Sequence, residues 1–326
     1  MRLKTFLAAA AIAATTALPA LANPTFWNAS QWPDTDFTKT NIENWTEILS
    51  GGPPKDGIPA LDGADFLSAA DETRIGDREP VITVEIDGAE PRAYPIRYLT
   101  WHEIVNDEIA GIPVAVTFCP LCNSGLTFDR RVGDQVLSFG VSGMLRNSNM
   151  IMYDRETQSW WQQTIGLGVA GEMTDVELVQ LPTWMESWAE FKARNPEGLV
   201  MNEPGGYRRP YGENPYTNYD SSRTPFLYNG EMPPHDIPAL MRVVRVEDSA
   251  WTFERLREEG TITEDGVTLT WTAGQASALD SRDISKSKDV GTVRVRNAAG
   301  EDLPHDVMFA FAFHAFFPEG DWKLSN

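Results

Sequence analysis

The sequence predicts an α+β fold that is rich in β-strand, built from two related antiparallel-sheet sub-domains with a few short helices. Three observations lead to this prediction. Alternating and β-branched runs recur along the chain. Few segments place apolar residues at helical spacing. The order of strand-like and apolar segments in the first half recurs, less clearly, in the second half. The chain has 326 residues, of which 42% are hydrophobic, enough for one large domain or two small ones.

The N-terminus has the pattern of an export signal. Arg2 and Lys4 precede an apolar stretch over residues 6–18, and small residues follow up to Ala22. A basic start, a short apolar region and a small-residue cleavage site are typical of a secretory signal peptide. We expect residues 1–22 to be removed, which predicts a periplasmic or secreted protein; the alternative is an uncleaved anchor. No later segment has the length of apolar sequence that a membrane span needs.

The chain is strongly acidic, with a formal net charge of −20 at pH 7. Loss of Arg2 and Lys4 with the signal peptide takes the charge to −22. Such a charge repels nucleic acid and anionic lipid, so neither is an expected partner. A metal ion or small molecule is the expected ligand, and the sequence identifies no protein partner.

The first half predicts an arm followed by strands. Residues 23–55 are rich in Asn, Thr, Asp and Trp and are predicted to form an extended N-terminal arm. Residues 81–86 alternate as a strand, and apolar residues at helical spacing predict a short helix over residues 96–107. Residues 112–118 are β-branched and apolar, which predicts a buried strand that leads directly into Cys119.

Further strands are predicted around residues 124–129, 135–142, 149–154 and 159–164. The strongest helical pattern runs from Trp184 to Asn195, before Pro196. The predicted domains are a first β-rich sub-domain with a Cys-x-x-Cys site, a loop-rich linker, and a second, degenerate sub-domain: residues 56–201, 202–240 and 241–326.

The second sub-domain is predicted to be a degenerate copy of the first. Residues 93–99 resemble residues 250–256, and each segment follows an alternating strand and precedes a second strand. The second copy has Thr272-Ala273-Gly274 where the first has the Cys-Pro-Leu-Cys turn, and it lacks the His-Glu pair. Because only one copy has these residues, they indicate a site rather than a requirement of the fold.

The only cysteines, Cys119 and Cys122, form a Cys-x-x-Cys motif. This spacing lets two sulfurs meet at one point, which suits a metal or a disulfide. The favoured interpretation is a thiophilic metal, copper or zinc, held by both thiolates and His102. His314 is a further candidate ligand, because an imidazole in an aromatic run is costly to bury without a partner.

Three alternatives stay open. The pair could be a redox dithiol with Cys119 as the exposed nucleophile, although the turn-like sequence after Cys122 is unlike a thioredoxin-type helix. It could also be an inert disulfide formed by an oxidising compartment. The chain could instead be a non-catalytic binding module that uses an aromatic surface. The sequence therefore leaves open whether the protein is an enzyme.

A second group of polar residues is a candidate pocket. Asp129 with Arg130 and Asp154 with Arg155 each follow an aromatic residue. Ion pairs at strand ends are the expected role of these residues, and a polar pocket that also includes Met144 is the alternative.

Four runs of the sequence stand out: Trp101-His102-Glu103-Ile104-Val105-Asn106-Asp107, Val116-Thr117-Phe118-Cys119-Pro120-Leu121-Cys122, Phe139-Gly140-Val141-Ser142-Gly143 and Met152-Tyr153-Asp154-Arg155-Glu156-Thr157. Together these runs resemble one bacterial family, the domain-of-unknown-function family 3179. Asn214-Pro215-Tyr216 and the end near Phe316-Phe317-Pro318 also fit, so the resemblance covers most of residues 55–320. It implies that the Cys-Pro-Leu-Cys turn belongs to the family pattern, and it implies no activity.

Overall fold

The computed structural model describes residues 29–325, and the predicted signal peptide, residues 1–22, lies outside them. The four α-helices in this range are each seven residues long: α1 (Ile96–His102), α2 (Trp188–Arg194), α3 (Phe253–Glu259) and α4 (Ala310–Phe316). No helix of the described range has the length and apolar character needed to cross a bilayer.

Short β-strands make up most of the regular structure. In the first half they are β1 (Ile48–Ser50), β2 (Leu61–Asp62), β3 (Phe66–Ser68), β4 (Pro80–Val84), β5 (Arg92–Pro95), β6 (Ile104–Ile109), β7 (Ile112–Cys119), β8 (Ser124–Asp129), β9 (Arg131–Val132), β10 (Gln135–Val136), β11 (Phe139–Arg146), β12 (Asn149–Asp154), β13 (Trp160–Gln162), β14 (Leu167–Ala170), β15 (Gln180–Leu181), β16 (Thr183–Ser187) and β17 (Leu199–Met201). The second half adds β18 (Arg242–Val246), β19 (Ser249–Thr252), β20 (Thr261–Glu264), β21 (Val267–Thr272), β22 (Thr292–Asn297), β23 (Asp306–Phe309) and β24 (Asp321–Lys323).

These strands form five sheets and one two-stranded ribbon, β9–β10. The sheet orders are β1-β11-β12-β13-β14, β15-β8-β7-β6-β2, β16-β4-β5-β17-β3, β23-β18-β19-β24 and β20-β21-β22. The β-rich fold class with short helices is therefore confirmed. The division into two antiparallel sub-domains was too simple, because the five sheets are arranged as a propeller-like ring and three strand pairs are parallel. The domain boundaries stay predictions.

The internal duplication is visible in the topology. Strands β16-β4-β5-β17 have the same order and directions as β23-β18-β19-β24, with a parallel pair at the end of each set. In each half, a seven-residue helix follows the second and the third of these four strands in chain order. After α1 the chain forms the hairpin β6–β7, and after α3 it forms the hairpin β20–β21.

Both predicted helices have different bounds in the structure. The first was expected over residues 96–107, but α1 ends at His102 because Glu103 has a φ of 59° and β-branched residues after it pair with β7. The second was expected from Trp184, but β16 occupies that segment and α2 begins after Ser187. Ser187 and Glu190 form a capping box, a signal that was present in the sequence.

Candidate functional site

The two cysteines lie in the tight turn between β7 and β8, which we call the thiol turn (residues 119–123). Cys119 ends β7, a single 3-10 turn covers Pro120–Cys122, and Asn123 takes a left-handed conformation with a φ of 54°. The Asn123 side chain donates to the Val307 carbonyl, 2.9 Å away. The second half of the chain therefore holds one end of the turn.

Both thiols are reduced and lie in the main hydrophobic core, where Cys119 is 1% exposed and Cys122 is 0% exposed. The two sulfurs are close enough that each shifts the pKa of the other. They also approach one carbonyl oxygen, that of Ser148, which lies 3.9 Å from Cys119 Sγ and 3.5 Å from Cys122 Sγ. The sequence motif therefore forms a paired dithiol.

The two thiols have different acidities. Burial raises the pKa of Cys119, but hydrogen bonds from Cys122 and from the backbone N–H groups of Met150, Cys122 and Leu121 outweigh it, so this pKa is lowered overall. The Met150 N–H lies 3.4 Å from Cys119 Sγ. Burial, together with the bond to Cys119 and the Cys119 charge, raises the pKa of Cys122. Cys119 is therefore the thiol that ionises first.

The β11–β12 hairpin supplies the other half of the site. Its tip is the two-residue turn Asn147-Ser148, and both residues have positive φ, 49° and 64°, as a type I′ turn requires. This turn presents the Ser148 carbonyl to both sulfurs and the Met150 N–H to Cys119. The side-chain carbonyl of Asn149 accepts from Gln162, and the Asn149 side chain partly opposes the rise in the pKa of Cys122.

Glu103 is a further acidic group near the thiols. It is 7% exposed, and its side chain has no hydrogen-bond or ion-pair partner within residues 29–325. Burial and the charge of Cys119 raise its pKa well above the usual value. The Tyr216 pKa is raised by burial and by the charges of Glu103 and Cys119, so the three side chains share one region.

A covering loop, residues 214–230, closes the site from solvent. The Tyr219 hydroxyl donates to the Leu121 carbonyl at 3.0 Å and accepts from the Phe226 N–H at 3.3 Å. The Ser148 hydroxyl donates to the Phe226 carbonyl at 2.5 Å. These bonds join the loop to both the thiol turn and the hairpin tip, and both sulfurs are buried beside these contacts.

Both ring nitrogens of His102 hydrogen-bond to residues outside the thiol turn. Its Nδ1 lies 2.7 Å from the Pro59 carbonyl, and its Nε2 lies 2.7 Å from the Tyr211 hydroxyl. A carbonyl only accepts, so Nδ1 carries the proton and Nε2 accepts from tyrosine. Burial lowers the pKa of His102. Metal ligation by His102 would therefore replace one of these two bonds.

His314 lies on α4, apart from these contacts of the thiol turn. It lines a cleft of about 380 Å³ with residues that include Asn147 and Tyr228. The buried Nδ1 atom of His314 has no hydrogen-bond partner in the described residues. Across residues 29–325, no group of three or more His, Cys, Asp or Glu side chains is placed to hold a metal ion.

The residues of the predicted polar pocket make local structural contacts. Asp129 pairs with Arg131, whereas Arg130 donates to the carbonyls of Val114, Leu137 and Asp107. Arg130 is therefore a bridge between backbone segments.

The other three pocket candidates lie elsewhere. Asp154 accepts from Thr157 and Trp161, and Arg155 pairs with Asp62 at 2.6 Å. Met144 is buried in a separate core cluster. These side chains and the thiols do not form one contact network, and a shared pocket stays a prediction.

Sequence reasoning missed the hairpin tip as part of the site, and it named Glu103 only as a member of the His-Glu pair that the second half lacks. The duplication held a signal for Glu103. The Glu103 N–H donates to Leu99 and its carbonyl accepts from Phe118, and the Gly260 N–H and carbonyl make the same bonds with Leu256 and Trp271. Extending the aligned segments by four residues would have paired a glutamate with a glycine.

The comparisons with known proteins give one result. The family model "Protein of unknown function (DUF3179)" matches residues 55–320, which is most of the chain. Neither the curated proteins nor the solved structures gave a match. The chain belongs to the DUF3179 family.

Proposed function

We propose that this protein is a thiol–disulfide redox protein in which Cys119 is the nucleophile and Cys122 is the resolving thiol. The observation that carries the proposal is the geometry of the dithiol: both sulfurs approach the Ser148 carbonyl, and Cys119 Sγ also accepts from the Met150 N–H at 3.4 Å. The amide contact favours the thiolate of Cys119, whose pKa is lowered, whereas the pKa of the buried Cys122 is raised. A thiolate is the form of cysteine that attacks a disulfide, so this difference assigns the two roles.

The reaction is a two-electron exchange. The Cys119 thiolate attacks one sulfur of a partner disulfide, which forms a mixed disulfide and releases the other partner sulfur as a thiolate. Cys122 then loses its proton and attacks Cys119 Sγ, which closes the Cys119–Cys122 disulfide and releases the second partner thiolate. One partner disulfide becomes two thiolates, and the reverse sequence reduces the protein.

The covering loop sets which partners react. Because both sulfurs are buried, a partner has to displace the contacts that Tyr219 and Phe226 make with the thiol turn and the hairpin tip. This arrangement slows exchange with small disulfides such as glutathione relative to partners that bind the loop, and it leaves the redox equilibrium unchanged. It also protects the reduced pair from random oxidation.

The test is a redox titration. The purified chain is equilibrated in glutathione buffers of stepped potential, quenched with acid and alkylated. Mass spectrometry then counts the alkylated thiols. We expect two alkylated thiols at reducing potential, none at oxidising potential, and one two-electron transition between them. Cys119→Ser and Cys122→Ser should lose this transition. Two alkylatable thiols at every potential would contradict the proposal and favour a non-catalytic binding module.

Copper or zinc binding is the second candidate, because amide donors aimed at a sulfur also suit a metal-bound thiolate. Two thiolates leave a tetrahedral site incomplete, so Cys119 and Cys122 need further ligands. His102 and His314 stay the ligands predicted from the sequence. Metal analysis of protein purified without chelators tests this candidate, and stoichiometric copper or zinc that is lost in Cys119→Ser would favour it over the redox pair.

A further inference from the structure

The covering loop has an anchored part and a loosely held part. Residues 214–220 are the anchored part. Their buried Asp220 carboxylate pairs with Arg242 at 3.1 Å and with Lys288 at 2.9 Å. Separating a buried ion pair is costly, so these contacts fix the base of the loop. Residues 222–230, which we call the flap, form no ion pair with any described residue.

One hydrogen bond joins the flap to a residue outside the loop region. The Ser148 hydroxyl donates to the Phe226 carbonyl at 2.5 Å. Every other hydrogen bond that the flap makes in the described part of the chain stays within residues 219–231. The main packing contact is between the rings of Tyr228 and Phe311, whose centroids are 4.9 Å apart. Few contacts therefore hold the flap closed.

The closed flap also has a strained backbone. Leu227 has a φ of 49°, and no other described residue with positive φ has a bulky aliphatic side chain. Such side chains rarely adopt the left-handed region, and the conformation is unfavourable. The neighbouring Phe226 ring is 55% exposed, so closure of the flap leaves about half of that ring in water. The loss of one hydrogen bond should therefore favour opening.

Ser148 connects the flap to the thiols. Its hydroxyl holds the flap, and its carbonyl oxygen lies 3.5 Å from Cys122 Sγ and 3.9 Å from Cys119 Sγ. Ser148 is 0% exposed, and no backbone N–H of the described residues donates to this carbonyl. Cys122 is the closer thiol, and its raised pKa means that it keeps its proton. In the reduced protein, a thiol therefore satisfies a buried carbonyl.

We propose that the thiol pair is a redox switch for the flap, closed when the pair is reduced and open when it is a disulfide, an inference that rests on the proposed redox function. Oxidation forms the Cys119–Cys122 bond, and two protons and two electrons pass to the partner disulfide, which becomes two thiols. The new disulfide has no S–H, so the Ser148 carbonyl loses its donors. A buried carbonyl without a donor is unfavourable. The hairpin tip then turns this carbonyl to water, and its hydroxyl releases Phe226.

The test is amide hydrogen exchange, followed by mass spectrometry, on the reduced protein and on protein oxidised with glutathione disulfide. The flap should exchange about tenfold faster after oxidation, the size expected when a buried polar group loses its partner. The anchored part, residues 214–220, should exchange at the same rate in both states.

Three variants separate the switch from other effects of oxidation. Cys122→Ala removes the closer S–H without a disulfide, so its flap should exchange as fast under reducing conditions as that of oxidised wild type. Cys122→Ser is the matched control, because its hydroxyl still donates to the Ser148 carbonyl, and its flap should stay slow. Ser148→Gly suits the positive φ at this position but lacks the hydroxyl, so its flap should be fast in both redox states.

The outcomes distinguish this proposal from the redox function. If wild type forms the disulfide and its flap exchanges at one rate in both states, the switch is wrong and the redox function stands. If wild type forms no disulfide, both are wrong. A slow flap in Cys122→Ala would also overturn the switch. So would an equal acceleration of the flap and the anchored part, because it would indicate a general loosening of the fold.

Discussion

The two halves of the molecule share one backbone plan and differ in a few side chains. In the first half, the segment from α1 to the end of β7 runs from Ile96 to Cys119; in the second, the segment from α3 to the end of β21 runs from Phe253 to Thr272. The helix-to-strand hydrogen bonds are the same. Where the first half has a buried cysteine, the second has an exposed threonine. The scaffold therefore forms without the thiol chemistry.

A second contrast concerns the sheets that precede these segments. The cross-strand pair Thr83–Trp184 of the first half corresponds to Arg245–Asp306 of the second. Asp306 accepts from the hydroxyl of Ser124 at 2.6 Å, directly after the thiol turn. The second half therefore contributes a buried carboxylate that supports the site in the first. The half that lacks the cysteines thus helps to stabilise the site in the half that has them.

The largest effect, on disulfide exchange, is expected from a change at Cys119, the cysteine that the second half lacks. Replacing Cys119 by Ser should abolish disulfide exchange with glutathione, because the only thiol with a lowered pKa is removed. The variant should also be destabilised by about 1–3 kcal/mol, because a serine hydroxyl replaces a sulfur that is 1% exposed in the hydrophobic core. Exchange that persists through Cys122 alone would contradict the assignment of roles.

The next effect is a pH dependence of stability that comes from Asp306. Burial raises its pKa from 3.8 to about 6, although Arg245 and the hydrogen bonds from Ser124 and Gly125 oppose this. A raised carboxyl pKa means that the folded protein holds the proton more tightly. Stability is therefore highest below pH 3.8 for this group and falls as the pH rises to about 6, by about 3 kcal/mol in total.

Urea unfolding of wild type and Asp306→Asn between pH 3.8 and pH 7 measures this contribution. The stability difference between the two proteins should change with pH up to about 6 and stay constant above it. A difference that is constant over the whole range would show that the carboxyl has the same pKa in the folded and unfolded chain.

A third, smaller effect concerns the cover of the site. Tyr219→Phe removes the hydrogen bond to the Leu121 carbonyl, worth about 1 kcal/mol, so alkylation of the thiols by iodoacetamide should be about fivefold to tenfold faster. Tyr98→Phe is the matched control, because the buried Tyr98 hydroxyl has no partner in the described residues. Equal alkylation rates in the two variants would mean that the loop does not limit access.

The smallest effect concerns Glu103 and Gly260, which occupy equivalent backbone positions after α1 and α3. Gly260→Ala should destabilise by about 1 kcal/mol, because its φ of 72° disfavours a Cβ although the space around it is open. Glu103→Gly should stabilise by about the same amount, since it removes backbone strain and a buried carboxyl. Denaturant unfolding of both variants at neutral pH is the measurement. A loss of stability in Glu103→Gly as large as that in Gly260→Ala would show that Glu103 has a structural role.

The sequence predicted a β-rich fold with short helices, the buried strand before Cys119 and a repeat whose strand order recurs in the structure, because these depend on local patterns. It did not predict the ring of five sheets, which depends on pairings such as β16 with β4, about one hundred residues apart. It located the thiols but assigned His102 to them from closeness in sequence. In the structure, the neighbours come from the β11–β12 hairpin and the covering loop, and no local pattern predicts that Ser148 would face both sulfurs.

The most direct test of the account is a thiolate titration of the reduced protein, followed by ultraviolet absorbance. Wild type should show one thiolate that forms below the ordinary cysteine pKa of 9.0 and a second that forms well above it. Cys119→Ser should lose the first step. Two thiols that both ionise at or above 9.0, or an early step that survives in Cys119→Ser, would contradict the proposal that the turn activates Cys119.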